Sequence, residues 1–109
     1  MKDRIIALLT LIAYGDIKLQ LKNPEETWES VYAGNVKYVT TDGVNITIFN
    51  DCNSFDYIDT IVFVDGEIYD YEDNRKLHYD TTLTTWVDTW MYDNPELADK
   101  LINYFINAR

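Results

Sequence analysis

Cysteine and histidine occur once each in the 109 residues, proline twice and glycine four times, and cation-bearing side chains are scarce. A lone Cys52 cannot form an internal disulfide framework, so the chain reads as cytoplasmic rather than as a stapled secreted domain. Nine Lys and Arg stand against nineteen Asp and Glu, a net charge of −10. A field of that sign repels nucleic acid and anionic membrane and steers the molecule toward basic surfaces. Direct binding to DNA or RNA is therefore not expected. Long apolar runs are also missing. The stretch Ile5 to Ile12, after Lys2 and Arg4, is too short to span a bilayer, and Ala13-Tyr14-Gly15-Asp16 is a poor cleavage site for a signal peptide. A buried amphipathic helix is the expectation there.

What is present is enough for one folded core. The chain is 47% hydrophobic and carries three Trp, nine Tyr and four Phe, which places residues 1–109 in a single domain and argues against disorder despite the charge. That charge is uneven. Between Asp51 and Asp73 lie Asp51, Asp56, Asp59, Asp65, Glu67, Asp70, Glu72 and Asp73 with no Lys or Arg among them.

Periodicity gives the elements. Ile5, Leu8, Leu9 and Ile12 occupy one helical face, and Gly15 is placed to end that helix in the left-handed conformation. Ile17 to Lys22 alternates as a short strand of edge character. Asn23-Pro24-Glu25-Glu26 has the composition of a helix start, with Trp28, Val31 and Tyr32 on one face behind it. Asn35 to Thr41 and Val44 to Phe49 flank Asp42-Gly43, and Tyr57 to Val64 and Glu67 to Tyr71 flank Asp65-Gly66, so two hairpins are expected. Joined by a seven-residue loop, Asn50 to Asp56, they make a four-stranded antiparallel meander. Val36, Tyr38, Val44, Ile46, Ile48, Ile58, Val62 and Ile68 are the inward candidates. Phe49, Tyr57, Ile61, Phe63, Tyr69 and Tyr71 fall on the other face, which is either covered or adhesive. Residues 72–82 read as irregular. Leu83, Trp86, Val87, Trp90 and Met91 then follow helical spacing, and Asn94-Pro95-Glu96 starts a last helix with Leu97, Leu101, Ile102, Phe105 and Ile106 on its apolar face. The fold class is α+β, with one helix before the sheet and two after it packed on one face.

Tyr32-Ala33-Gly34, the strand end Phe49-Asn50-Asp51-Cys52 and the pair Asp56-Tyr57 resemble the corresponding segments of a small bacterial family of unknown function. The resemblance covers roughly residues 28–66. It implies a shared organisation of the centre and names no activity.

Chemistry is weakly signalled. Cys52 lies between Asp51 and Asp56, and flanking carboxylates oppose the thiolate that a nucleophile needs, so a structural cysteine is the expected role. His78 stands alone, and no Gly-rich turn adjoins either residue to supply an oxyanion site. Asp51, Asn53, Asp56 and Asp59 offer hard oxygen ligands, but Phe55 interrupts the calcium-loop spacing and no glycine follows it. Those side chains are better read as caps on backbone groups in a tight loop. No catalytic residue, metal or cofactor is expected, and the protein is read as non-enzymatic. A glycosidase use of Asp70, Glu72 and Asp73 would need a cleft that a small meander rarely provides.

The carboxylates interleave with Phe55, Tyr57, Tyr69 and Tyr71, which combines phosphate-like charge with aromatic anchors. The leading expectation is a protein that binds and inhibits a basic, nucleic-acid-handling protein by mimicking nucleic acid, in the manner of an anti-CRISPR or a toxin-immunity protein. The competing expectations are a ligand-binding or enzymatic pocket near Cys52 and His78, and an oligomerising structural protein that uses the second sheet face.

Overall fold

The computed structural model describes the backbone of residues 1–78 and 82–109 and the side chains of residues 1–75 and 84–109. It is an α+β arrangement with a five-stranded antiparallel sheet. In chain order the elements are α1 (Lys2–Ala13), β1 (Leu19–Leu21), α2 (Trp28–Val31), β2 (Gly34–Thr40), β3 (Asn45–Asp51), β4 (Ser54–Val62), β5 (Ile68–Asp70), α3 (Tyr71–Asn74), β6 (Lys76–His78), β7 (Thr82–Thr84), α4 (Trp86–Asp93) and α5 (Pro95–Asn107). The sheet order is β1-β2-β3-β4-β5, so each strand pairs with its neighbour in sequence, and β6 and β7 form a separate two-stranded hairpin.

The four-stranded expectation is corrected to five because β1 continues the meander. Leu19, Gln20 and Leu21 pair with Thr40, Val39 and Tyr38. Helix α1 forms as its spacing requires: Ile5, Leu8, Leu9 and Ile12 are buried, and Gly15 at φ +78° closes the helix, its N–H bonded to Ile12 O. A Cβ at Gly15 would lie 2.8 Å from the Tyr104 hydroxyl, which can move aside, so glycine is needed there for its dihedral. Asn23 does not cap a helix. Its side-chain oxygen instead accepts from Glu25 N–H, a local turn, and the helix begins at Trp28, where Thr27 and Ser30 form a reciprocal capping box. In its described part the stretch 72–82 is not wholly irregular either, since Asp70 caps the single turn α3 through Glu72 N–H and β6 pairs with β7, while 79–81 lie outside the described residues. Leu83 belongs to β7, and the next helix starts at Trp86 behind a second capping box made by Thr85 and Asp88.

The largest departure from expectation is at the centre. No seven-residue loop joins β3 to β4: Asp51 pairs with Ser54, and Cys52 and Asn53, both at positive φ (+51° and +68°), make the whole turn. Positive φ at both central residues is what a hairpin with a two-residue type I′ connection requires. Strand β4 then carries two bulges. Phe55 pairs with Asn50 and Tyr57 with Phe49, leaving Asp56 without a partner; Ile58 pairs with Ile48 and Thr60 with Thr47, leaving Asp59 without one. Each extra residue shifts the alternation by one. After Asp59, therefore, Ile61 and Phe63 point inward with Tyr69 opposite Ile61, while Val62 and Ile68 face out, the reverse of the simple alternating assignment.

The core lies on one face of the sheet. Val36, Tyr38, Ile46, Ile48, Ile58, Ile61 and Tyr69 pack under α1, α4 and α5, with Trp28 closing one end. Phe105 of α5 meets Tyr38 edge-on at 4.9 Å, and the Tyr38 hydroxyl donates to Phe105 O at 2.7 Å. Burial pushes that phenol well above its usual range. The opposite face carries exposed or half-exposed side chains throughout, among them Asn35, Lys37, Val39, Asn45, Thr47, Phe49, Tyr57, Thr60 and Val62.

Candidate functional site

The carboxylates between Asp51 and Asp73 divide into two groups. Asp65 and Glu67, in the β4–β5 turn, are both bound by Arg4 of α1, whose guanidinium also lies 3.9 Å above the Phe63 ring. The Glu67 N–H and then Arg4 hold the Asp65 carboxyl below its usual range. These two acids share one local guanidinium, which offsets one of their two charges and sets them apart from the other carboxylates of the segment. Two aromatic candidates are also reassigned. Tyr69 is buried with its hydroxyl donating to Thr85 Oγ1 at 2.9 Å, and Phe55 turns inward between Trp28 and Phe105.

The rest of the candidates gather beside β4, β5 and α3; Tyr71 is buried at the base of the group and the others are exposed or half-exposed. Phe49 and Tyr57 are cross-strand partners with rings edge to face at 5.3 Å, and Tyr57 stacks on Tyr71 at 3.9 Å. Around this aromatic row stand Asp56 and Asp59, the two bulge residues, with Asp70 and Glu72. Bulges place them there: without the extra residues, strict pleating would spread the side chains of β4 evenly over both faces. The carboxylates lie close enough to disfavour one another's charge. Burial and then Asp70 and Glu72 raise the Asp59 carboxyl, and burial and then Asp51 raise that of Asp56. Burial, followed by Asp59 and Asp56, likewise raises the Tyr57 hydroxyl. Glu72 also pairs with Arg75 at 3.1 Å, while Asp51 and Asp73 are exposed at the margins.

Asp88 was not among the sequence candidates. It reaches this cluster from α4, its carboxyl raised by burial against the opposing pull of Thr85 N–H and Thr84, and further raised by Asp56. Its position three residues after Thr85 marks a helix cap and gives no hint of a tertiary neighbour.

The sequence reads Asp51, Asn53, Asp56 and Asp59 as caps in the loop rather than as metal ligands; among the described residues no group of three or more His, Cys, Asp or Glu is arranged to hold an ion. Cys52 is exposed at the tip of the β3–β4 hairpin, where no walls surround it. The side chain of His78 lies outside the described residues, and so does the expected pocket that it would share with Cys52.

The central motif has a structural role that can be stated in full. Trp28 Nε1 donates to Asn53 O, Asn53 N donates to Tyr32 O, and Asn50 Nδ2 donates to Trp28 O, all between 2.8 and 2.9 Å. Tyr32, at φ +61° and ψ −57°, is the centre of a tight turn closed by Ala33 N–H to Val31 O. That conformation is strained for a side-chain-bearing residue, and the three clasping bonds hold it in place. The Tyr32-Ala33-Gly34 turn and the Asn50-Asp51-Cys52-Asn53 tip are thus two sides of one knot around Trp28.

A family model described as a domain of unknown function, DUF7693, matches residues 3–90. The chain belongs to that family. The match extends beyond the central segments on both sides and takes in α1, the whole sheet and the first part of α4. No curated protein and no solved structure is significantly similar to the chain. Membership therefore carries an organisation of the chain and no activity. Among the described residues no helix is long and apolar enough to cross a membrane.

Proposed function

We propose that the protein is a non-catalytic acidic binder whose β4–β5 side of the outer face takes a basic, nucleic-acid-handling protein as its partner and inhibits it. The observation that carries this reading is the coincidence, on one face, of the half-exposed cross-strand rings of Phe49 and Tyr57 with Asp56, Asp59, Asp70 and Glu72. Asp56 and Asp59, whose protonation is favoured by burial and then by neighbouring acids, gain when a guanidinium or ammonium is laid beside them, because the added cation offsets that repulsion. The half-exposed Tyr57 ring beside them, backed by the buried Tyr71, offers a surface for arginine stacking. Charge of this kind accelerates encounter, and the rings slow dissociation. An anti-CRISPR or a toxin-immunity protein is the finer version of the reading, in which the acidic row replaces phosphates in a groove.

The experiment is an affinity capture from host lysate at low and high salt, with identification of bound proteins by mass spectrometry, repeated with Asp56→Lys, Asp59→Lys and Glu72→Lys combined. Asp70 is left unchanged because it caps α3. The expected result is a basic nucleic-acid-binding protein retained at low salt, weakened at high salt and lost with the triple variant. Capture that survives all three reversals would remove the electrostatic basis of the proposal.

A further inference from the structure

The outer sheet face is charged at both edges and with opposite signs, a feature that binding of a basic protein does not use. Cross-strand pairing lines up three rows. In the middle row Lys37 pairs with Thr47, Thr47 with Thr60 and Thr60 with Asp70, and Lys22 extends the row on β1's side through its N–H to Lys37 O. Lys22 Nζ reaches Asn45 Oδ1 at 3.2 Å, which lays that side chain across the same face. The row reads positive at the β1–β2 edge, neutral in the centre, and negative at β5, where Asp59 reinforces Asp70 and Glu72 is shared with Arg75. One flanking row is aromatic, Asn35, Phe49 and Tyr57, and the other is aliphatic, Val39, Asn45, Val62 and Ile68.

Lys37 and Asp70 are three strand spacings apart, about 14 Å, beyond the screening length of about 8 Å at physiological salt, so they cannot satisfy each other within one chain. They can do so between chains. A two-fold axis lying in the face and running along the strands carries the positive edge of one copy onto the negative edge of the other. It also returns the aromatic row to the aromatic row and the aliphatic row to the aliphatic row. A single rotation therefore makes every row complementary to itself, the condition an isologous contact must meet.

We propose that the outer face docks a second copy of this chain in an aligned, face-to-face sheet sandwich, Lys22 and Lys37 of each copy meeting Asp59, Asp70 and Glu72 of the other. Ile68, 55% exposed in one chain, becomes covered in the pair. Five strands by three rows span about 500 Å² of face per copy, the low end of specific interfaces, and the dissociation constant is expected on the order of 10–100 μM. The basic partner proposed above would have to displace the second copy.

Sedimentation equilibrium and light scattering from about 10 μM to about 1 mM cover that range. Two charge-reversed variants complete the test: Lys22→Glu with Lys37→Glu, and Asp59→Lys with Glu72→Lys, each checked for wild-type melting. The expected results are a concentration-dependent dimer for the wild type, monomers for each variant alone, and a one-to-one heterodimer when the variants are mixed, because both edges are then complementary again. A monomeric wild type at the highest concentration, a mass that keeps growing past two copies, or variants that dimerise alone would overturn the proposal, as would a mixture that stays monomeric. A monomeric wild type leaves the basic-partner reading intact, and a failed capture from lysate leaves the dimer intact.

Discussion

At the scale of single residues, Asp59 shows how a side chain can serve a surface at the expense of the fold. Its carboxyl is raised by burial and by Asp70 and Glu72, so the folded state holds its proton more tightly than the unfolded chain does. Linkage fixes the sign: stability falls as pH rises from the unfolded value through the higher folded one, and a constant penalty remains at neutral pH. Asp59→Asn is expected to raise the melting temperature at pH 7, with the gain fading toward pH 4. Melting curves across that pH range check it, and a gain that persists unchanged in acid would place the strain elsewhere. Asp65 has the opposite sign. Its stabilising pairing with Arg4 is present at neutral pH and is lost as pH falls through its lowered folded value. Trp28 illustrates the structural half of the motif. Trp28→Phe removes the Nε1 bond to Asn53 O and leaves space in a fully packed site, for an expected loss of about 1–3 kcal/mol measured by denaturant unfolding.

Secondary-structure elements divide into those that local patterns specify and those that the sheet imposes. The apolar stripe of α1, the Asn94-Pro95 start of α5 and the Asp-Gly turns at Gly43 and Gly66 were all legible, because each depends on residues within a few positions of one another. The β3–β4 connection was not, because Cys52-Asn53 lacks the glycine that announces a two-residue turn. Nor were the bulges, since Asp56 and Asp59 look like ordinary strand residues and only the partner strand shows that nothing opposes them. That one omission reversed the assignment of Val62, Ile68, Ile61, Phe63 and Tyr69. The acidic cluster was half legible for the same reason: nearness in sequence grouped Asp65 and Glu67 with the rest, while the fold gives them to Arg4. Thr85 tests an element-scale claim. It caps α4 through Asp88 N–H and accepts the Tyr69 hydroxyl, so Thr85→Ala is expected to cost about 1–2 kcal/mol in denaturant unfolding, more than a cap alone on a free surface. Thr85→Ser should recover most of it, because the hydroxyl is what both partners use.

For the molecule as a whole, the two sheet faces divide the tasks. The inner face is closed by α1, α4 and α5 and supplies the stability, and the outer face carries Lys22 and Lys37 toward one edge and Asp59, Asp70 and Glu72 toward the other. Phe105 is the keystone of the covered side, fully buried between Tyr38 and Phe55. Phe105→Ala is expected to cost about 3–5 kcal/mol by denaturant unfolding, a large share of the stability of a domain this size. The position of α5 also has a bearing on synthesis. Because each strand pairs with the one before it, the sheet can assemble in the order in which it leaves the ribosome, yet Leu101 and Phe105 emerge only after every strand is out. For that interval the nascent chain holds a formed meander with its greasy side partly bare, which is the state a chaperone would recognise.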